Sequence, residues 1–370
     1  MKKTIAIISF SKIKSDSRVK RQIESLNKIF DILTISFDRK LNIGIDHFSV
    51  NTNKSIQNKI ILLFYILVRN YKKYFNDRFS YKEINKFLSS YKIDYYILND
   101  SNAWPFIENI ESRKCIIDAH EYSVNELDNL FYWKYLFKPM KIWSLKYLKN
   151  TKIRFSVEKN LCRLWEEKTG MKFCLLRNFA SYKYISPNHN NKYPIRIIHH
   201  GLAEPSRKIE NMIYAIGMCG SGYEANFFLT GKNESYFKKL QKISRKNNVK
   251  ILNPIAEEDL IDVGSFYDIG IISIYPSNIN YKYCLPNKFF QYIQSRIPIV
   301  SGPTPSITEI INNYNIGSIA DNFEPFALKN AILKLDLDTI NQMKKNCNIA
   351  AKELCWENEK DFLIKHLKYI

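Results

Sequence analysis

Three groups of residues have the types and spacing to do chemistry. The first lies in 267–300, YDIGIISIYPSNINYKYCLPNKFFQYIQSRIPIV. Its apolar run 269–274 predicts a buried strand. Pro276 and Pro286 bound a polar loop, a short helix is expected over about 288–295, and another strand opens at Pro298. A strand that passes through a loop into a helix start favours an anion, because free amide groups and the positive end of the helix dipole meet there. Asn287 stands where an N-cap is expected, and Lys288 adds a full positive charge beside it. The second group follows the predicted strand 195–199: Gly201 closes that strand and Arg207 sits in the loop beyond it. Arg207 in the first loop of this half and Lys288 in the fourth suit a single anion. The third group belongs to the first half of the chain. His120 and Glu121 end the strand 115–118 in the run DAHEYSVNE, and Asp16 and Arg18 lie in the loop after the first strand. Asp16 reads equally well as an ordinary N-cap.

Such residues need a scaffold that brings strand ends together. The run 4–10 is apolar and β-branched, the pattern of a strand buried on both faces; a helix over 18–30 and a strand over 32–37 follow. Strand, helix, strand at this spacing opens a doubly wound sheet, whose ligands lie outside the C-terminal ends of the strands. The segment 56–88 reads as helical, and strands are expected at 95–98, 115–118, 153–157 and 173–176. A polar run, 177–194, then suits a linker, and strands at 195–199, 226–230, 249–252 and 269–274 restart the pattern. The chain is therefore expected to be α/β, with an N-terminal Rossmann-like domain over 1–180, a linker over 181–194, a second Rossmann-like domain over 195–350 and a terminal helix over 351–370 crossing back. No glycine-rich dinucleotide fingerprint is present, so a nicotinamide or flavin cofactor is not expected.

The 370 residues carry a net charge of +20 with pI near 9.4, which calls for an anionic partner. Seven scattered cysteines without a CxxC pair argue against a disulfide frame and a zinc site and fit a reducing cytoplasm. The apolar run 60–68 is about half the ~20 residues that a membrane span requires. The segment 130–149 interleaves seven aromatic residues with five lysines, a composition able to lie on an anionic membrane surface, bind nucleic acid, or cover a core as amphipathic helices.

The runs SDSRVKRQIESL (15–26), IIDAHEYSVNE (116–126), IIHHGLAEPSRKIENMIYAI (197–216) and the 267–300 stretch resemble glycosyltransferases of the GT-B fold, in particular family 4, whose members build bacterial surface polysaccharides. The likeness covers most of the chain. It implies two Rossmann-like domains facing across a cleft, a retaining transfer without an obligatory metal or cofactor, a nucleotide diphosphate sugar held by the C-terminal domain, and a glycan or lipid-linked acceptor held by the N-terminal one. Arg207 and Lys288 resemble the cations that meet the donor pyrophosphate, with Gly201, Asn280, Pro286, Asn287 and Gln291 beside them. His120 resembles the cleft histidine near the reacting sugar, while Asp16, Arg18 and Glu121 fall on the acceptor side. The family's two glutamates, however, fall on Tyr283 and Gln291, and Gly201 replaces one member of its basic pair. The resemblance places the protein in the cytoplasm, peripherally on the inner face of the plasma membrane through 130–149. Two other readings stay open: an inactive homologue that acts as an assembly partner, and a basic nucleic-acid-binding protein, although no recognised nucleic-acid motif is present.

Overall fold

The computed structural model describes residues 2–52, 55–128, 130–231 and 233–368. They form two compact units: residues 1–177 with 278–280 and 360–370, and residues 178–277 with 281–359.

The first unit is built on seven parallel strands, β1 (Thr4–Ser9), β2 (Asp31–Ser36), β3 (Asp46–Ser49), β4 (Tyr95–Asn99), β5 (Cys115–Ala119), β6 (Ile153–Ser156) and β7 (Cys174–Leu175), in the order β3-β2-β1-β4-β5-β6-β7. Five of the six residues of β1 are buried and all five of β5, which explains their unbroken apolar sequence. The helices are α1 (Ser17–Leu26), α2 (Ile56–Leu67), α3 (Tyr71–Phe79), α4 (Tyr81–Leu88), α5 (Lys138–Ser144) and α6 (Lys159–Thr169). The expected helix 18–30 ends at Leu26, because Asn27 to Phe30 turn directly into β2. β3 is short and polar at both ends, so its sequence carries no strand signal. The segment 130–149 is a π-helical turn at Trp133–Phe137, then α5, then a 3-10 turn at Leu145–Leu148.

The second unit holds six parallel strands, β8 (Ile195–Leu202), β9 (Tyr223–Thr230), β10 (Val249–Leu252), β11 (Ile269–Ile272), β12 (Ile299–Ser301) and β13 (Gly317–Ile319), in the order β10-β9-β8-β11-β12-β13. Neighbouring residues of one strand enter different core clusters. Ile197, Ile271 and Val300 pack with Met212 and Phe227, whereas Ile198, Ile272 and Ile299 pack with Phe289 and Phe290. Both faces of the sheet are thus covered, as side-chain alternation along a strand requires. β8 runs past Gly201 to Leu202 rather than closing at it, because its pairing with β9 continues through Leu202 and Thr230. The helices that follow are α7 (Ile209–Gly217), α8 (Glu234–Ser244), α9 (Leu260–Gly264), α10 (Ile279–Lys282), α11 (Asn287–Gln294), α12 (Pro305–Tyr314), α13 (Pro325–Leu333), α14 (Leu337–Glu353) and α15 (Trp356–Lys368).

Residues 178–194 have no helix or strand, yet they are tied down within the second unit. Lys183 N donates to Gln294 Oε1 at 3.0 Å, Arg296 Nη2 donates to Lys183 O at 2.7 Å, and Asn190 N donates to Asn341 Oδ1 at 3.0 Å. The end of α15 belongs to the first unit, where Phe362 and His366 pack edge-on against Phe155. Each sheet has the strand order of a doubly wound nucleotide-binding fold, with the order reversing between β1 and β4 in one unit and between β8 and β11 in the other.

Candidate active site

The sequence groups residues around these two switch points. In the second unit, Gly201 has φ +128°, and a Cβ built on it would lie 2.9 Å from Lys288 Nζ and 4.0 Å from Arg207 Nη1. Two cations therefore converge on the backbone at the end of β8. Glycine at this point leaves the ammonium its space and permits a backbone conformation that side chains disfavour. Lys288 reaches there from the first turn of α11 and is buried. Burial and then the nearby Arg207 charge push its pKa down to about 7. Arg207 ends the short 3-10 turn Pro205–Arg207, and its Nε is buried with no hydrogen-bond partner. Among the described residues no carboxylate forms an ion pair with either cation.

Two histidines complete this end of β8, and neither was singled out from the sequence. His199 Nδ1 donates to Ile271 O at 2.9 Å, which leaves Nε2 as the acceptor facing Lys288 Nζ at 3.4 Å. Burial, followed by the Lys288 charge, holds His199 well below the usual histidine range, so it is neutral. His200 is pushed down to about 3 by the same causes, and its buried Nε2 has no partner. The doublet in IIHHGL was the available signal, since consecutive strand residues point to opposite faces and a buried imidazole needs a partner on each.

Asn287 is not the N-cap of α11. That position is Pro286, with no side-chain cap, and Asn287 opens the helix while its Oδ1 accepts from Asn178 Nδ2 at 2.7 Å. Proline at the helix entrance accounts for the shift: its fixed φ suits an extended cap residue, so the cap falls on Pro286 and the helix starts at Asn287, one residue earlier than expected. Gln291 is buried one turn beyond Lys288. Asn280 is grouped with the first unit, and its Oδ1 accepts from Tyr122 N at 2.7 Å. Asp336 caps α14 by accepting from Thr339 N at 2.8 Å.

In the first unit, Arg18 is buried and grips Asp118 with both nitrogens of its fork, Nε to Oδ2 at 2.8 Å and Nη2 to Oδ1 at 2.6 Å. Gln22, one turn further along α1, also donates to Asp118. His120 lies against the same carboxylate. Its Nδ1 is 3.3 Å from Asp100 Oδ2, and its Nε2 is 3.1 Å from Asn99 Oδ1 and 3.6 Å from Asp118 Oδ2. Burial works against the imidazolium, but the Asp100 and Asp118 carboxylates outweigh it and push the pKa up to about 9. Burial would also raise Asp118, yet Arg18 and His120 hold it well below the usual carboxylate range. His120 is therefore a cation at neutral pH and a donor, not a base.

Asp16 is the N-cap of α1, its Oδ1 accepting from Val19 N at 3.2 Å and its Oδ2 from Ser11 Oγ at 3.1 Å. Glu121 is exposed, but desolvation of the carboxyl and then the Glu126 and Asp100 charges push it up to about 7. Its hydrogen bond to Glu126 makes the two a carboxyl pair. Lys141, from the basic-aromatic segment, turns inward to donate to Ser101 Oγ and Asn102 Oδ1, both at 2.8 Å. Sequence reasoning missed Asp100, Glu126 and Lys141 because each is brought in from a different element.

No family model matches the sequence, and no curated protein is similar to it at a significant level. Solved structures are similar over their whole length. Sucrose-phosphate synthase from Thermosynechococcus elongatus superposes with a TM-score of 0.78 at 12% identity, covering 100% of this chain and 99% of that one. An E. coli trehalose-6-phosphate protein bound with UDP-2-fluoro glucose gives 0.69 at 11% identity, covering 99% of each chain. Anabaena HepE in complex with UDP and glucose gives 0.69 at 12% identity, covering 100% of each. The chain has the GT-B fold. At these identities the likeness carries the fold alone. The GT-B frame comprises both doubly wound units, with His199, Gly201, Arg207 and Lys288 at one switch point and Arg18, Asp118 and His120 at the other.

Proposed function

We propose that the protein is a glycosyltransferase of the family 4-like kind, moving a sugar from a nucleotide diphosphate sugar to a growing, lipid-linked surface glycan. The observation that carries this reading is the convergence of Arg207 and buried Lys288 on Gly201 with no carboxylate against them among the described residues. Two cations without a counter-ion, beside an uncapped helix start, suit a diphosphate.

The acceptor hydroxyl oxygen bonds to the anomeric carbon as the bond to the diphosphate breaks, and the hydroxyl proton passes to the leaving phosphate. Negative charge grows on that phosphate, and fixed positive charge there lowers the barrier. Arg207 and Lys288 supply it, so the reading requires no obligatory metal. The hydroxyl attacks from the face the diphosphate leaves, so the configuration is retained, and because the leaving phosphate can take the proton no enzyme nucleophile is needed. On the acceptor side, cationic His120 positions or polarises sugar hydroxyls. The acceptor's lipid would lie at the anionic inner leaflet of the plasma membrane, to which the basic-aromatic segment 130–149 is drawn.

The test is a thermal-shift panel of uridine, guanosine, cytidine and thymidine diphosphates, with and without magnesium, on wild type and Arg207→Ala. A ligand at about 100 times its Kd raises stability by roughly 2.7 kcal/mol. One base stabilising wild type without metal, and not the variant, is the expected result. No shift with any of them overturns the donor site and favours an inactive homologue, for which Tyr283 and Gln291 in place of glutamates already speak.

A further inference from the structure

Helix α2 carries two apolar stripes. Leu62 and Ile66, four residues apart, are its only buried positions. On the opposite side Ile56, Ile60, Leu63, Phe64 and Leu67 are all exposed, Ile56 by 77% and Ile60 by 62%. Their spacing of 0, 4, 7, 8 and 11 residues places them on one face of the helix. A soluble surface helix shows one such stripe and a polar back, and a contiguous apolar face in water marks a docking site. The exposed rings of Phe131, Tyr132 and Tyr135 belong to the same unit, and the π-helical turn Trp133–Phe137, which holds Tyr135, packs beside α2.

The charge pattern selects the occupant. The sequence 47–76 contains no aspartate or glutamate, whereas Lys59, Arg69, Lys72 and Lys73 lie on or next to the helix and are exposed. Of these only Lys72 makes an ion pair among the described residues, to Glu108 at 2.8 Å. In the segment 130–149, Lys141 is buried and Lys138 pairs with Asp128 at 2.7 Å, while Lys134, Lys146 and Lys149 are exposed. An apolar face flanked by Lys59, Arg69 and Lys73, which make no ion pair among the described residues, fits the interface of an anionic bilayer, with the side chains among acyl chains and the cations at headgroups. The twelve residues of α2 extend about 18 Å, too short for a ~30 Å hydrocarbon core, so the helix would lie in the interface. No helix among the described residues is long and apolar enough to cross a membrane.

We propose that α2 is the element that inserts this protein into an anionic membrane surface, through Ile56, Ile60, Leu63, Phe64 and Leu67. The inference deepens the membrane part of the proposed function and is independent of the transferase chemistry.

The test is co-sedimentation of the full chain with vesicles of phosphatidylcholine containing about one third phosphatidylglycerol, and with phosphatidylcholine alone. Wild type is expected to bind the anionic vesicles only. Phe64→Glu/Leu67→Glu should lower the partition coefficient about tenfold or more, and Lys59→Glu/Lys73→Glu should weaken binding and flatten its loss with salt. Circular dichroism and melting should be little changed, since Phe64 and Leu67 are 57% and 59% exposed. Phe131→Ser/Tyr135→Ser is the control for the other segment. Loss of binding in the control with full binding in the α2 variant overturns the role of α2 while sparing the membrane reading. No binding of wild type overturns both. A sedimenting dimer that Phe64→Glu/Leu67→Glu converts to a monomer overturns the inference in favour of a second copy of this chain.

Discussion

The ammonium of Lys288 stands 3.4 Å from the unprotonated Nε2 of His199. Burial and then the Arg207 charge hold this lysine at about 7, where it is half-charged without a ligand. A bound diphosphate favours the charged form, so binding takes up a proton when the pH exceeds that value. A nucleotide sugar has no phosphate group titrating near neutrality, so the pH dependence of its binding reports the protein. Affinity, measured by calorimetry, should be level below pH 7 and fall up to about tenfold per pH unit above it. Lys288→Met should remove the dependence together with most of the affinity. A profile unchanged by that substitution would sink the assignment.

The same lysine carries a stability consequence of opposite sign. Its folded pKa of about 7 lies below the 10.5 of an exposed lysine. Between those values the unfolded chain holds a proton that the folded chain lacks, so stability rises with pH across the window. Lys288→Met, which keeps the volume and drops the charge, should raise the melting temperature below pH 7, by roughly 2–4 °C for each kcal/mol gained. Stabilisation alongside lost binding marks a residue retained for function.

Gly201 should tolerate no side chain. A methyl group there meets the Lys288 ammonium at 2.9 Å, and the φ of +128° is itself unfavourable for any other residue. Gly201→Ala is expected to lower nucleotide-sugar affinity about tenfold or more, with a stability cost of about 1–3 kcal/mol. Titration of the folded variant separates the two effects.

His120 titrates the other way. Its folded value of about 9 exceeds the 6.5 of a free histidine. Its contribution is complete below pH 6.5 and lost as the pH rises through 9, up to about 3 kcal/mol in the unit that carries it. Denaturant melts of wild type and His120→Gln should diverge below pH 9 and converge above it. His120→Ala should cut turnover while leaving nucleotide affinity nearly intact, and equal losses in both would end its acceptor-side role. Asp118→Asn leaves Arg18 buried without its anion and should cost about 3–5 kcal/mol.

The sheets were legible because runs such as 4–9 and 269–272 are buried on both faces and so are apolar throughout. β3 and β13 were not, being three or four residues long and only partly buried. The positions of Arg207 and Lys288 could be read from strand-then-helix order, but their meeting at Gly201 depends on a backbone twist that no local pattern encodes. Arg18 reads as a free basic residue in a loop. Only pairing across a hundred residues reveals that its charge is committed to Asp118. For 130–149, composition indicated a basic aromatic strip without showing which lysines turn inward. Nor did the sequence distinguish the exposed from the buried stripe of α2, since both consist of the same residue types.

The packing of Phe362 and His366 on Phe155 makes the first unit discontinuous along the chain. A ribosome releases residues 2–177 well before 360–368, and until those emerge the ring of Phe155 lacks its packing against Phe362 and His366. All of 178–359 is synthesised in the interval. The unit that begins first is therefore completed only after the second, and a fragment cut after residue 177 would expose an apolar seam that the chain closes only once 360–368 are made.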